Sequence, residues 1–176
     1  RLLNDGHHVT VIDNLAGGQL SNLDCVGSNP KLQIEQADLA NSDRLPEMFV
    51  NVDWVFHLAG LADIVPSITN PTTYHKANVD GTVAALEAAR GSGVDRFIYA
   101  ASSSCYGIAS EIPTPETALI RPEYPYALSK NIGEQCVLHW NKVYGIPSVV
   151  LRLFNVYGPR SRTSGAYGAV FGVFLA

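Results

Sequence analysis

The apolar positions of this chain fall into short runs rich in β-branched residues, and between them lie stretches in which apolar side chains recur every three or four residues. Residues 8–13 form the first such run, which ends at Asp13 and is followed by Asn14 and the turn-forming Gly17 and Gly18. Residues 31–38 alternate as a half-buried strand does, and residues 52–60 are nearly continuously apolar, as expected of a strand covered on both faces. Two further runs, 96–101 and 148–155, complete the strands. The intervening spacing predicts a short helix around Leu45, Met48 and Phe49. It predicts a longer one from Pro71 through Tyr74, Asn78, Val79, Val83 and Leu86, stopping near Arg90 and Gly91. A third helix starts at Tyr126, and its Leu128, Ile132, Cys136 and Trp140 make a stripe expected to pack on the sheet. Strand and helix alternate throughout, which predicts an α/β fold: one doubly wound parallel sheet with helices on both faces and no internal repeat.

Composition narrows the class. The 176 residues are 47% hydrophobic and 16% charged, the makeup of one globular domain. A net charge of −4, without a lysine or arginine run, argues against a nucleic-acid or anionic-membrane surface. Cys25, Cys105 and Cys136 are widely spaced and suit free thiols in a reducing compartment. The apolar stretch 168–176 is too short to span a bilayer, and no secretory signal is visible, so the expected address is cytoplasmic. Residues 1–6 read as the closing turn of a helix, and the chain stops inside an apolar run at Leu175 and Ala176. Both ends are therefore expected to lie within a longer protein, with the sheet incomplete at each.

Several polar residues stand where this fold places ligands, at the carboxyl ends of strands. Asp13 suits the hydroxyls of an adenosine ribose, and its charge would repel a 2′-phosphate, favouring NAD over NADP; alone, it equally suits a strand-end turn. Asp38, followed by Leu39, suits either an adenine acceptor with a packing partner or an ordinary helix cap. Ala59 and Gly60 are small enough for a cofactor to approach the backbone. His57 reads as a positioned core histidine. Asn78 is either a packing compromise or the site of a helix kink that holds a water. Ser102, Ser103 and Ser104 crowd one strand end, where they could cap a turn or meet a ligand. A loop with Pro113, Pro115, Pro122 and Pro125 is long enough to cover a site. Beyond it, Tyr126 and Lys130 stand four residues apart, one above the other on a helix face. A tyrosine base near neutrality needs its pKa lowered by roughly 3 units, and a lysine charge about 5 Å away supplies roughly 3 kcal/mol at an effective dielectric of about 20. The same spacing also describes a solvated helix edge.

Together these segments resemble the extended short-chain dehydrogenase/reductases, in particular nucleotide-sugar epimerases of the UDP-glucose 4-epimerase type. The likeness runs through Asp13 and Asn14, Asp38 and Leu39, 57–60, 78–82, 102–107, 126–130 and 153–160. It implies that residues 1–176 are a Rossmann-like NAD-binding domain lacking its first strand and glycine-rich loop, with a C-terminal substrate domain absent and the isolated piece inactive. It implies that Asp13, Asn14, Asp38, Leu39, Ala59, Asn78, Tyr126 and Lys130 serve NAD. Ser102, Tyr126 and Lys130 would be catalytic, and Ser102, Ser104, Tyr126, Asn155 and Arg160 would meet a UDP-sugar. Related dehydratases and decarboxylases resemble one another in carrying a glutamate where Ser104 stands, and dehydratases an aspartate where Ser103 stands. A 4-epimerase is therefore expected ahead of a dehydratase, decarboxylase or keto-sugar reductase, and a non-catalytic NAD-binding protein is the rival from another class. Ala62 departs from the lysine that galactose epimerases often carry there. A homodimer is the expected assembly.

Overall fold

A computed structural model describes residues 1–158 and 160. Five parallel strands form: β1 (Val9–Asp13), β2 (Leu32–Gln36), β3 (Trp54–His57), β4 (Arg96–Ser102) and β5 (Ser148–Leu153). The helices are α1 (Leu45–Met48), α2 (Ile64–Thr69), α3 (Pro71–His75), α4 (Gly81–Ser92) and α5 (Pro125–Tyr144). The doubly wound α/β class holds, with strands and helices alternating as the apolar pattern requires. The apolar stretch 168–176 lies outside the described residues. Residues 1–6 form the closing turn expected there: the Asp5 amide donates to the Arg1 carbonyl, the Gly6 and His7 amides bond back to Leu3 and Leu2, and Gly6 stops the turn at φ 91°.

Two details differ from the expectation of one sheet covered on both faces. Among the described residues the strands pair in two groups, β1-β2 and β3-β4-β5, because none of them hydrogen-bonds to both β1 and β3. The groups still share a core, since Ile12 of β1 packs against it. In the three-stranded group, Phe97, Tyr99 and Ala101 of β4 pack under α4 and α5 against Ala85, Leu86, Ala89 and Val137. On the opposite face, Phe56, Val149 and Leu151 are exposed among the described residues.

The helix expected from Pro71 is there but is broken in phase. α3 runs into one π turn, Lys76–Asp80, and then into α4, which ends on Gly93 in the left-handed region at φ 67°. The π turn surrounds Asn78, and the buried asparagine serves as a hydrogen-bonding residue, bonded to Leu61 and Ser129.

The buried stripe on α5 is not Leu128, Ile132, Cys136 and Trp140. Ala127, Lys130, Gly133, Glu134 and Val137 face inward, and Leu128 is half exposed. Small residues decide the face. A Cβ on Gly133 would collide with the Tyr99 hydroxyl and stand 3.0 Å from its Cζ and 3.2 Å from the Asn78 carbonyl, so only glycine lets α5 lie this close to β4. Cys136 and Trp140 pack at the rim of the core, where the Trp140 indole donates to Glu87 of α4 at 2.7 Å.

Candidate active site

Parallel pairing ends β4 and β5 together, with Ser102 beside Leu153, whereas β3 stops earlier, with His57 beside Tyr99. Above that edge lies the start of α5, which opens on Pro125, a residue suited to a first helical turn. Ser102 ends β4 in extended conformation and caps the 3₁₀ turn Ser103–Tyr106, its Oγ accepting from the Ser104 amide at 3.2 Å. The same hydroxyl lies near enough to the Tyr126 phenol to pull its pKa down. Ser104 contributes its amide to that cap and is itself half-buried.

Lys130 is buried, and its ammonium lies 4.5 Å from the centroid of the Tyr99 ring. Burial pulls its pKa down to about 8. The expected lowering of the Tyr126 pKa by Lys130 is not what the chain alone provides: burial pushes the phenol up, against the smaller downward pull of the Ser102 hydroxyl. Tyr74 closes over Tyr126 edge to face, with centroids 6.5 Å apart, and Asp63 at the start of α2 adds a weak negative field.

The base of the site is a hydrogen-bonded lattice. Asn78 donates to the Leu61 carbonyl at 3.0 Å and to Ser129 Oγ at 2.9 Å, and accepts from the Leu61 amide at 2.7 Å. Thr82 donates to the Asn78 carbonyl at 2.6 Å, so His57 Nε2, 2.8 Å from the same hydroxyl, is the donor in that contact. His57 is thus the core histidine expected, held neutral with its pKa lowered to about 3 by burial, with a smaller push from Lys130. Among the described residues no group of three or more His, Cys, Asp or Glu is disposed to hold a metal ion.

The cofactor candidates form a second cluster at the ends of β1 and β2. Asp13 accepts from the Leu15 amide at 2.7 Å, Asn14 Nδ2 reaches Asp38 Oδ2 at 3.4 Å, and the other Asp38 oxygen closes a turn with the Ala40 amide at 2.9 Å. Asp38 therefore does start a turn while leaving one oxygen on the Asn14 side. Gly18 wraps the Asp13 carboxylate so closely that a Cβ would meet its oxygen at 2.5 Å. Leu39 lies beside Gly81, and a Cβ on Gly60 would stand 2.8 Å from Asn78 Oδ1 and 3.8 Å from Lys130 Nζ. This set fits NAD: carboxylates for hydroxyls at one end, and the small residues Ala59 and Gly60, the latter beside Lys130, at the other. Asn155 is exposed beyond β5, and Arg160 lies with Nη2 3.3 Å from Cys25 Sγ. Sequence reasoning missed Tyr99, Gly133, Asp63 and the pair Glu134 and Arg152. An arginine inside the otherwise apolar run 148–155 was the available signal for the last of these.

The sequence model described as the NAD dependent epimerase/dehydratase family matches residues 1–175. The UDP-glucose 4-epimerase of Mycolicibacterium smegmatis is 34% identical over 174 residues, 97% of this chain and 55% of that protein. A solved UDP-N-acetylglucosamine 4-epimerase from Methanobrevibacter ruminantium, in complex with UDP-N-acetylmuramic acid, superposes with a TM-score of 0.92 at 34% identity, over 98% of this chain and 55% of that one. A dTDP-glucose 4,6-dehydratase double mutant from Streptomyces venezuelae with NAD bound gives a TM-score of 0.89 at 26% identity, over 96% and 55%. The chain spans about half the length of the relatives it matches.

Proposed function

This chain belongs to the NAD dependent epimerase/dehydratase family, and from that premise we propose that the complete protein is a nucleotide-sugar 4-epimerase of the UDP-hexose class. The observation that carries the reading is Ser102 at the end of β4, its hydroxyl near enough to lower the Tyr126 phenol's pKa, with Lys130 one helical turn on. Ser102 orients the 4-hydroxyl of the sugar, and Tyr126 takes its proton and later returns it. Lys130 keeps a positive charge beneath the phenol. Asp13 and Asn14 hold the adenosine end of the cofactor, and Asn78 keeps the backbone at Leu61 in place beneath it. NAD, when bound, supplies the hydride acceptor and donor, and its cationic ring favours the phenolate that burial alone opposes.

Hydroxyls at Ser103 and Ser104, rather than carboxylates, favour epimerisation over elimination of water, which needs an added acid and base. Asp63 is the acidic group whose field reaches Tyr126, and it keeps a dehydratase as the second reading. Incubating the complete protein with UDP-glucose, UDP-N-acetylglucosamine and UDP-glucuronate in turn, without added NAD, separates the two. The C4 epimer is the expected product, and release of water or carbon dioxide reassigns the reaction. Tyr126→Phe should lower turnover by about three orders of magnitude with NAD still bound; near-normal turnover sinks the assignment of Tyr126.

A further inference from the structure

Glu134 is a carboxylate with 1% of its surface exposed, four residues beyond Lys130 and on the same face of α5. A carboxylate so buried persists only when its oxygens are satisfied. Arg152 satisfies both: Nη2 lies 2.6 Å from Oε1, and Nε lies 2.9 Å from Oε2. The same guanidinium goes further. Its Nη1 reaches the Tyr106 hydroxyl at 3.0 Å and the Glu116 carbonyl at 3.2 Å, and its carbon lies 5.2 Å from the Tyr106 ring centroid.

Each element that Arg152 joins carries part of the site. α5 bears Tyr126 and Lys130. Tyr106 ends the turn that Ser102 caps, and Glu116 belongs to the proline-rich loop over the strand ends. Arg152 itself sits opposite Ala101, one rung before Ser102 pairs with Leu153. We propose that Arg152, paired with Glu134, is a positioning residue that clamps the Ser103–Tyr106 turn to α5 and so sets the alignment of the Ser102 hydroxyl with the Tyr126 phenol. It works through Ser102 and not on the reacting atoms, and it rests on the reading of Ser102 and Tyr126 proposed above. An apolar pair of similar volume could hold α5 to β5, but it could not reach Tyr106 and Glu116.

The seam that this clamp closes has a reporter. Cys105 is fully buried, with Sγ 3.6 Å from the Ala127 carbonyl, whereas Cys25 is exposed. In the complete protein, Arg152→Lys and the double variant Arg152→Met with Glu134→Met should each label at Cys105 roughly tenfold faster with a maleimide, while Cys25 labels unchanged. Turnover should fall about tenfold with KM for the nucleotide-sugar within about twofold, and in a Ser102→Ala background the same changes should cost less than about threefold. Unchanged Cys105 labelling, or losses that multiply fully with Ser102→Ala, overturns the proposal. So does loss of the native circular dichroism spectrum in both variants, which would make the pair a folding element. If Ser102→Ala and Tyr126→Phe are both fully active, the reading of the site fails instead, and Cys105 labelling still judges the clamp.

Discussion

The ammonium of Lys130 stands over the ring of Tyr99, 4.5 Å from its centroid, on the inner face of the helix that also carries Tyr126. The catalytic candidate with the positive charge is thus held from below by a strand residue, and the strand residue's own hydroxyl donates to the Lys130 carbonyl at 3.3 Å.

Burying that charge opposes folding. With the Lys130 pKa near 8 in the folded chain against an ordinary 10.5, the unfolded state binds more protons between those values. Stability therefore rises as pH climbs from about 8 to about 10.5, and the penalty is complete below 8. The shift corresponds to roughly 3 kcal/mol, and the cation–π contact returns about 1–2 kcal/mol of it. Lys130→Met should accordingly stabilise the ligand-free protein by on the order of 1–2 kcal/mol at pH 7 in urea titrations while abolishing turnover. A variant less stable than the parent at pH 7 contradicts this balance.

Gly133→Ala should destabilise the protein and slow it. An alanine gains about 1 kcal/mol of helix propensity but presses a methyl into Tyr99, at a cost of about 1–3 kcal/mol. The expected net loss of roughly 1 kcal/mol should shrink in a Tyr99→Phe background, where the opposing oxygen is gone. Equal losses in both backgrounds would show that the hydroxyl is not what sets the approach of α5.

His57 makes the fold sensitive to acid. Its pKa is near 3 when folded against an ordinary 6.5, so protons bind preferentially to the unfolded chain between those values and stability drops as pH falls through that window. From pH 7 to pH 4, the parent should lose roughly 3 kcal/mol more than His57→Gln, read from denaturant midpoints at each pH. Parallel pH curves for the two proteins would remove His57 from this role.

Much of this was legible in the amino-acid pattern, and the exceptions share a cause. β-branched runs mark strands because branched side chains fit a pleated backbone, and each of the five runs is a strand. The positions of Ser102, Tyr126 and Asn78 at strand ends or facing helices follow from alternation alone. The inner face of α5 did not, because apolar periodicity favours Leu128, whereas packing is governed by how near the backbone can come, and Gly133 and Ala127 decide that. A buried Lys130 and Glu134 run against the hydrophobic pattern, and each persists through a partner distant in sequence: Tyr99 for one, Arg152 for the other. Periodicity within a helix carries no record of such partners. The burial that raises the Tyr126 pKa in the ligand-free chain is likewise a tertiary effect that helical spacing does not record.

The π turn at 76–80 makes sequence length a part of the site. One residue more than an α turn advances the helix by about 100°, so the segment before Asn78 and the segment after it are out of phase with each other. That offset lets Tyr74 meet Tyr126 while Thr82 meets His57. Removing a single residue between them would leave every side chain of the site in the chain and still turn half of them away. In this stretch, a one-residue deletion should be less tolerable than most substitutions.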